Sequence, residues 1–364
     1  MKKYLVRFFV LFSFFMLISF GLKAQNYEYE IELEAVEIEN LGGLQSFAIG
    51  TWDGYSILIG GRLDGLHQRQ PFASFDEAGH NTQIFVVDPE SKEVWKKSVL
   101  TLPTSLREQM SSTNMQFTQS DDELIITGGY GYSASAGDHV TYAFLTRIDL
   151  KGLTESIING NSDDPLDAQY FEQISDPRFA VTGGRLLLMD DMYYLVGGHR
   201  FMGRYNPMGP DHGPGFEQDY TYEARRFTIV GVSELAVEFI DPLHDEMHMR
   251  RRDFNVVPFF QDGEKGIIAY SGVFQPTSDV PWLYPVKITE EGITADESFT
   301  QYFNHYHSAS LPVYNQESDV MHTLFFGGIA QFYMDNDMLV QDNDIPFVQT
   351  IADVQLSKEG FSEH

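Results

Sequence analysis

Cysteine is absent from the 364 residues. That excludes disulfides, thiolate metal sites, cysteine nucleophiles and a lipidated N-terminal cysteine. Positive charge is scarce: 24 Lys and Arg stand against 53 Asp and Glu, a formal net charge of −29. Such a surface repels phosphate backbones, so nucleic acid is a poor partner. Long apolar runs are missing too, apart from Phe8 to Leu22 near the N-terminus. That stretch follows the cations Lys2, Lys3 and Arg7 and, at about fifteen residues, is short for a bilayer span of roughly twenty. Ala24 and a polar, acidic continuation then point to a signal peptide over 1–24, with Leu22 departing from the small residue usual before a cleavage site. Its removal leaves 20 cations against 53 acids, a charge of −33. The expectation is an exported chain (periplasm, cell surface or secreted) with no membrane span once mature.

What is present is aromatic: 29 Phe and 19 Tyr lift Phe, Tyr and Trp to 14% and favour strands. One unit recurs. Short apolar runs end in two small residues at Gly60-Gly61, Gly128-Gly129, Gly197-Gly198, Ser271-Gly272 and Gly327-Gly328. The second glycines are spaced 68, 69, 74 and 56 residues apart. Each run is four to six β-branched or aromatic residues, too short for a helix. Upstream of each lies a strand-like segment, such as Ser112-Thr113-Asn114-Met115-Gln116-Phe117, and downstream another, such as Gln83-Ile84-Phe85-Val86-Val87-Asp88.

Strand, double glycine, strand, repeated five times, resembles the kelch family of β-propellers. The resemblance covers nearly all of 25–364 and implies an all-β, kelch-type β-propeller. Its blades fall at approximately 41–100, 110–160, 177–240, 250–298 and 305–364. The fourth copy departs from the family pattern with Ser271, the family's later Tyr and Trp positions are only partly kept, and the spacings exceed the roughly 50-residue kelch period. Two counts stay open. The alternating Tyr27–Glu34 segment, within 25–40, could supply the outer strand of the last blade and close a five-blade ring, because about eight residues after Leu356 are too few for a fourth strand plus another blade. Otherwise the chain is an incomplete six-bladed propeller.

In a propeller the connections between second and third strands emerge on one face, together with the starts of the inner strands. Here those connections are long: 22 residues from Gly61 to Gln83 and 24 from Gly198 to Tyr222. Long loops grouped on one side of a rigid array serve binding. The loops hold His67, Arg69, Phe72, Phe75, Asp76, Glu77, His80 and Asn81, then Tyr130, Tyr132, Asp138 and His139, then Arg204, Tyr205, His212 and Phe216. The inner-strand starts add Asn114, Arg178, Arg250-Arg251-Arg252 and His305-Tyr306-His307. The candidate ligand-binding set is Asn114, Arg178, Arg204, His212, Arg251, His305, His307, His80 and His139. Three consecutive arginines could clamp a carboxylate or sulfate, or could pair between blades with Asp253 or Asp211. His305 and His307, two apart on a strand, would share one face as a metal pair must, but no metal site and no cofactor is assigned.

The first expectation is therefore a binding module for a glycan or protein, with Tyr130, Tyr132, Tyr205 and Phe216 as stacking surface. The alternative is a carbohydrate-active enzyme, such as an isomerase or lyase. Galactose-oxidase-like propellers need a tyrosine crosslinked to cysteine, which this chain cannot form. Kelch-type sialic acid mutarotases resemble it in fold and compartment, but no motif carries their active residues over.

Overall fold

The computed structural model describes residues 31–65, 74–161, 163–206, 215–231 and 234–364. The expected signal peptide, His67, Arg69, Phe72, His212 and Tyr27–Glu30 lie outside the described residues. Among the described residues, no helix is long and apolar enough to cross a membrane. Residues 31–36 carry no regular element.

From Glu37 onward the chain is a succession of small antiparallel sheets, arranged like a propeller. The first holds β1 (Ala48–Trp52), β2 (Tyr55–Ile59), β3 (Gln83–Val87) and β4 (Val94–Ser98) in that order. After helix α1 (Thr104–Met110), strands β5 (Thr113–Ser120), β6 (Glu123–Ser133), β8 (Phe144–Asp149) and β9 (Phe171–Ser175) follow the same path within a seven-stranded sheet. Helix α2 (Leu150–Asn159) connects its last two strands. A third sheet runs β10 (Arg185–Met189), β11 (Met192–Val196), β14 (Glu223–Ile229) and β15 (Val237–His244). The next holds β16 (Asn255–Gln261), β17 (Glu264–Tyr270), β18 (Val286–Ile288) and β19 (Ile293–Ala295). The last holds β20 (Ala309–Asn315), β21 (Val320–Ile329), β24 (Phe347–Ser357) and β25 (Gly360–Glu363). Four separate four-stranded sheets thus accompany the seven-stranded one.

The second strands are apolar at consecutive positions because both faces of each sheet are covered. Ile126 enters the core between the first and second sheets, and its neighbour Ile125 the core between the second and third. Tyr193 and Tyr194 divide likewise, as do Ile267 and Ile268. The outward face of the first sheet, with Leu58, Phe85 and Val87, is covered by Ile38, Leu41, Leu44 and Phe47. The opposite end of the array differs. The last sheet leaves Leu311 and Ile351 exposed on one face.

The paired small residues are the seams between sheets. All ten have positive φ. The second of each pair donates its N–H to the incoming segment of the next sheet: Gly61 to Ser112 O (2.7 Å), Gly129 to Val181 O (3.0 Å), Gly198 to Arg251 O (2.8 Å) and Gly272 to His305 O (3.1 Å). A Cβ on Gly128 would lie 1.9 Å from Val181 O, so only glycine admits that approach. Ser271 tolerates the strained position with its hydroxyl bonded to Trp282 O at 2.7 Å. The fifth pair differs: Cβ atoms there would meet Val348 and Ser308, residues of its own repeat.

One sequence expectation is overturned. The last sheet takes its fourth strand, β25, from the chain's own C-terminus. A two-residue turn at Lys358-Glu359 is enough to start it, so the last sheet does not take its outer strand from the N-terminal segment.

Candidate functional site

The connections between second and third strands converge as expected. That of the first sheet folds over Arg62–Asp64 and Phe75, and the second becomes β7 (Asp138–Thr141). The third becomes a hairpin of β12 (His199–Met202) and β13 (Glu217–Tyr220). β12 pairs with β7, which joins the loops of two successive sheets into the seven-stranded sheet. The fifth carries the hairpin β22 (Phe332–Asp335) and β23 (Met338–Gln341).

Cross-bonds fix this canopy. Tyr130 donates its hydroxyl to Gly203 O (2.6 Å) and accepts from Tyr205 N (2.9 Å). Arg204 reaches Ser74 O (2.8 Å) and Asp76 (3.4 Å). His139 Nε2 meets Phe75 O at 2.7 Å. Arg62 is held by Asp64 and by Asp76 O. Phe75 meets Tyr130 and Tyr205 edge-on, with centroids 5.2 and 5.8 Å apart.

Beneath it lies a cavity of about 1130 Å³. All five repeats contribute: Ser46, Asn114 and Thr182 from the inner-strand starts, Tyr130, Phe201, Tyr205 and Phe274 from the loops, Arg252 and Asp253 from the fourth repeat, and Tyr306 and His307 from the fifth. Ser46, Asn114 and Asp253 have positive φ, at 54°, 53° and 52°. The turns are bonded across sheets, Asn114 N to Ser46 O (3.1 Å) and Asp253 N to Gly183 O (2.7 Å). Asn and Asp tolerate this left-handed conformation, which aims their side chains into the hub.

Asp253 is the centre of the polar floor. Its carboxylate lies 3.4 Å from Asn114 Nδ2, 3.8 Å from His307 Nε2 and 3.9 Å from Arg252 Nε. Burial opposes the charge on Arg252, yet Asp253 holds its guanidinium above the usual value. Burial lowers the His307 imidazole, although a third of its side chain is open. At neutral pH it is an unprotonated base beside a carboxylate.

Of the sequence candidates, Asn114 and His307 line the cavity. Arg178 does not. It sits in a helical turn, Pro177–Phe179, capped by Asp176, and the inner strand begins only at Arg185. Its guanidinium is bound to Asp176 and lies 3.5 Å over the Phe239 ring. Arg251 is fully buried, donating to His248 O, Ser271 O and Tyr284 O and sandwiched near Trp282 and Tyr284. It is a strut between sheets; the arginine facing the hub is Arg252. The expected common face for His305 and His307 fails because β20 starts only at Ala309. His305 is buried between Gln301 O and Gln331 N, each 3.0 Å away, and burial pushes it down to about 4. Arg204 and His139 brace the canopy. His80 packs against Gly131 and is pushed down to about 4 by burial, with Arg62 and His139 adding to the shift. Among the described residues no three His, Cys, Asp or Glu are grouped to hold a metal ion. Arg252 and Tyr306 entered the sequence reading only within their runs and Asp253 only as a pairing partner for the arginines, none of them in the candidate ligand-binding set; Phe274 was not named. The signal for Asp253 was its place: like Ser46, two residues before β1, it stands two residues before β16, while Asn114 is the second residue of β5.

A propeller-like scaffold with a polar, aromatic-walled cavity at its hub is the class that this geometry defines. Among solved structures, one described as "Structure of YjhT" is similar, with a TM-score of 0.52 and 11% identity over 88% of this chain and 84% of that one. At that identity the likeness concerns the fold. No family model and no curated protein matches the chain.

Proposed function

We propose that the chain is an exported, kelch-type propeller that binds a glycan in its hub cavity. Counting β5-β6-β8-β9 as a blade beside the four separate sheets gives five blades, each carrying one of the five small-residue pairs. The observation that carries the reading is the cavity itself. It is concave where a protein-docking face would be flat, its walls offer Tyr and Phe rings for sugar faces, and its floor offers Asn114, Arg252, Asp253 and His307 for hydroxyls. Two variants test it, Asn114→Gly, which keeps the left-handed backbone, and Tyr205→Ala, titrated calorimetrically with neutral oligosaccharides. Binding should weaken at least about tenfold, the size of one lost hydrogen-bonded or stacked contact, with the melting temperature held. Unchanged affinity in both would sink the reading.

A second reading, a carbohydrate-active enzyme, draws on one pair. His307, neutral, and Asp253 lie 3.8 Å apart and could move a proton to and from a sugar oxygen. His307→Gln would then abolish sugar anomer exchange while binding persists. Export through residues 1–24 predicts a mature protein whose N-terminal sequencing starts at Gln25.

A further inference from the structure

The cavity's charge does not suit the anionic ligand that a row of arginines suggests. Of its lining residues, two are arginines and four are aspartates. Arg62 is bonded to Asp64 at 2.5 Å, and Arg252 is paired with Asp253 at 3.9 Å. Each cation is therefore already balanced within the wall. Asp279, from the fourth sheet's loop, and Asp344, from the fifth's, remain, both exposed where they line the cavity. Nearby Arg204 is engaged by Asp76 at 3.4 Å and so adds no free positive charge. Beyond the site, the −29 net charge of the chain depletes anions and concentrates cations at any opening.

A donor group nevertheless lines the cavity. Arg252 is nine-tenths buried, and its Nε, closed from solvent and 3.9 Å from Asp253, has no hydrogen-bond partner. A neutral hydroxyl satisfies such a donor without bringing a second negative charge beside Asp253. Tyr205 and Phe274 line the same cavity, the Phe274 ring already lying 5.2 Å from the Arg252 guanidinium.

Resting on the glycan reading above, we infer that the hub cavity selects sugars bearing a free, protonated amine, taking their hydroxyls at Arg252 and their ammonium groups at Asp279 and Asp344, and discriminates against acidic sugars.

The test is calorimetry on the mature protein with three matched trimers: glucosamine, N-acetylglucosamine and galacturonic acid. Mildly acidic, low-salt buffer keeps the amines protonated and the uronates ionised. The glucosamine trimer should bind about fivefold or more tighter than the neutral trimer, as one or two partly solvated ion pairs allow, and the galacturonate trimer weakest. High salt should erase the difference. The double variant D279N/D344N should bring the cationic and neutral trimers within about twofold of each other. A galacturonate preference, or a cationic preference unchanged in the double variant, overturns the inference and leaves the glycan reading standing. Silence from all three trimers overturns both.

Discussion

At the residue scale, burial decides which histidines can carry a proton. His305 accepts from Gln331 N at Nδ1 and donates from Nε2 to Gln301 O, an arrangement open only to the neutral ring. It and His80 are pushed down from 6.5 to about 4. The unfolded chain takes up these protons first as the pH falls, so stability drops between about pH 6.5 and 4 and is whole above that window. Each group accounts for about 2–3 kcal/mol over that range. Chemical melts across the window should show the decline, and His305→Gln, which can keep both bonds without titrating, should make it shallower by about the share of one group. The same scale explains why the arginine run misled. In an extended strand Arg251 would face the hub; here a chain of carbonyls from His248, Ser271 and Tyr284 captures it, and Arg252 takes the place. Nothing in three identical side chains distinguishes them until the backbone path is known.

At the scale of elements, most of the architecture was legible. Five runs ending in paired small residues marked the second strands β2, β6, β11, β17 and β21, because the close inter-sheet approach leaves glycine few substitutes. Gly128→Ala should therefore cost about 3 kcal/mol or more, from the left-handed backbone and the collision with Val181 O, whereas Gly215→Ala, with open space around it, should stay within about 0.5 kcal/mol. Equal denaturation midpoints for the two would contradict the seam. Less legible were β7, β12 and β13. Their residues read as loop, and their pairing depends on two connections meeting in space, which no local pattern encodes. The fourth strand of the last sheet was missed for the opposite reason, since a four-residue strand after a tight turn carries almost no periodic signal.

At the scale of the whole molecule, the array is asymmetric. Four cores lie between successive sheets, while one face of the last sheet is open at Leu311 and Ile351. Leu186→Ala, within the core between second and third sheets, should cost about 2–5 kcal/mol, and Leu311→Ala, 48% exposed, less than about 1 kcal/mol. Comparable losses would mean that the last face is as covered as the others. The convergence of the loops over the hub was legible from their lengths and common side. The charge balance inside the cavity was not, because it depends on which acids pair with which arginines. The seven-stranded sheet has a mechanical corollary. Neighbouring sheets touch through side chains and isolated backbone bonds, which give way in turn, but the second and third repeats are also joined by the strand pairing of Val140 with Met202, the bond from Gly203 N to His139 O and the Thr141 hydroxyl on Phe201. Stretched from its two ends, the molecule should tear at the unstitched joints and shed those two repeats last, as a single piece.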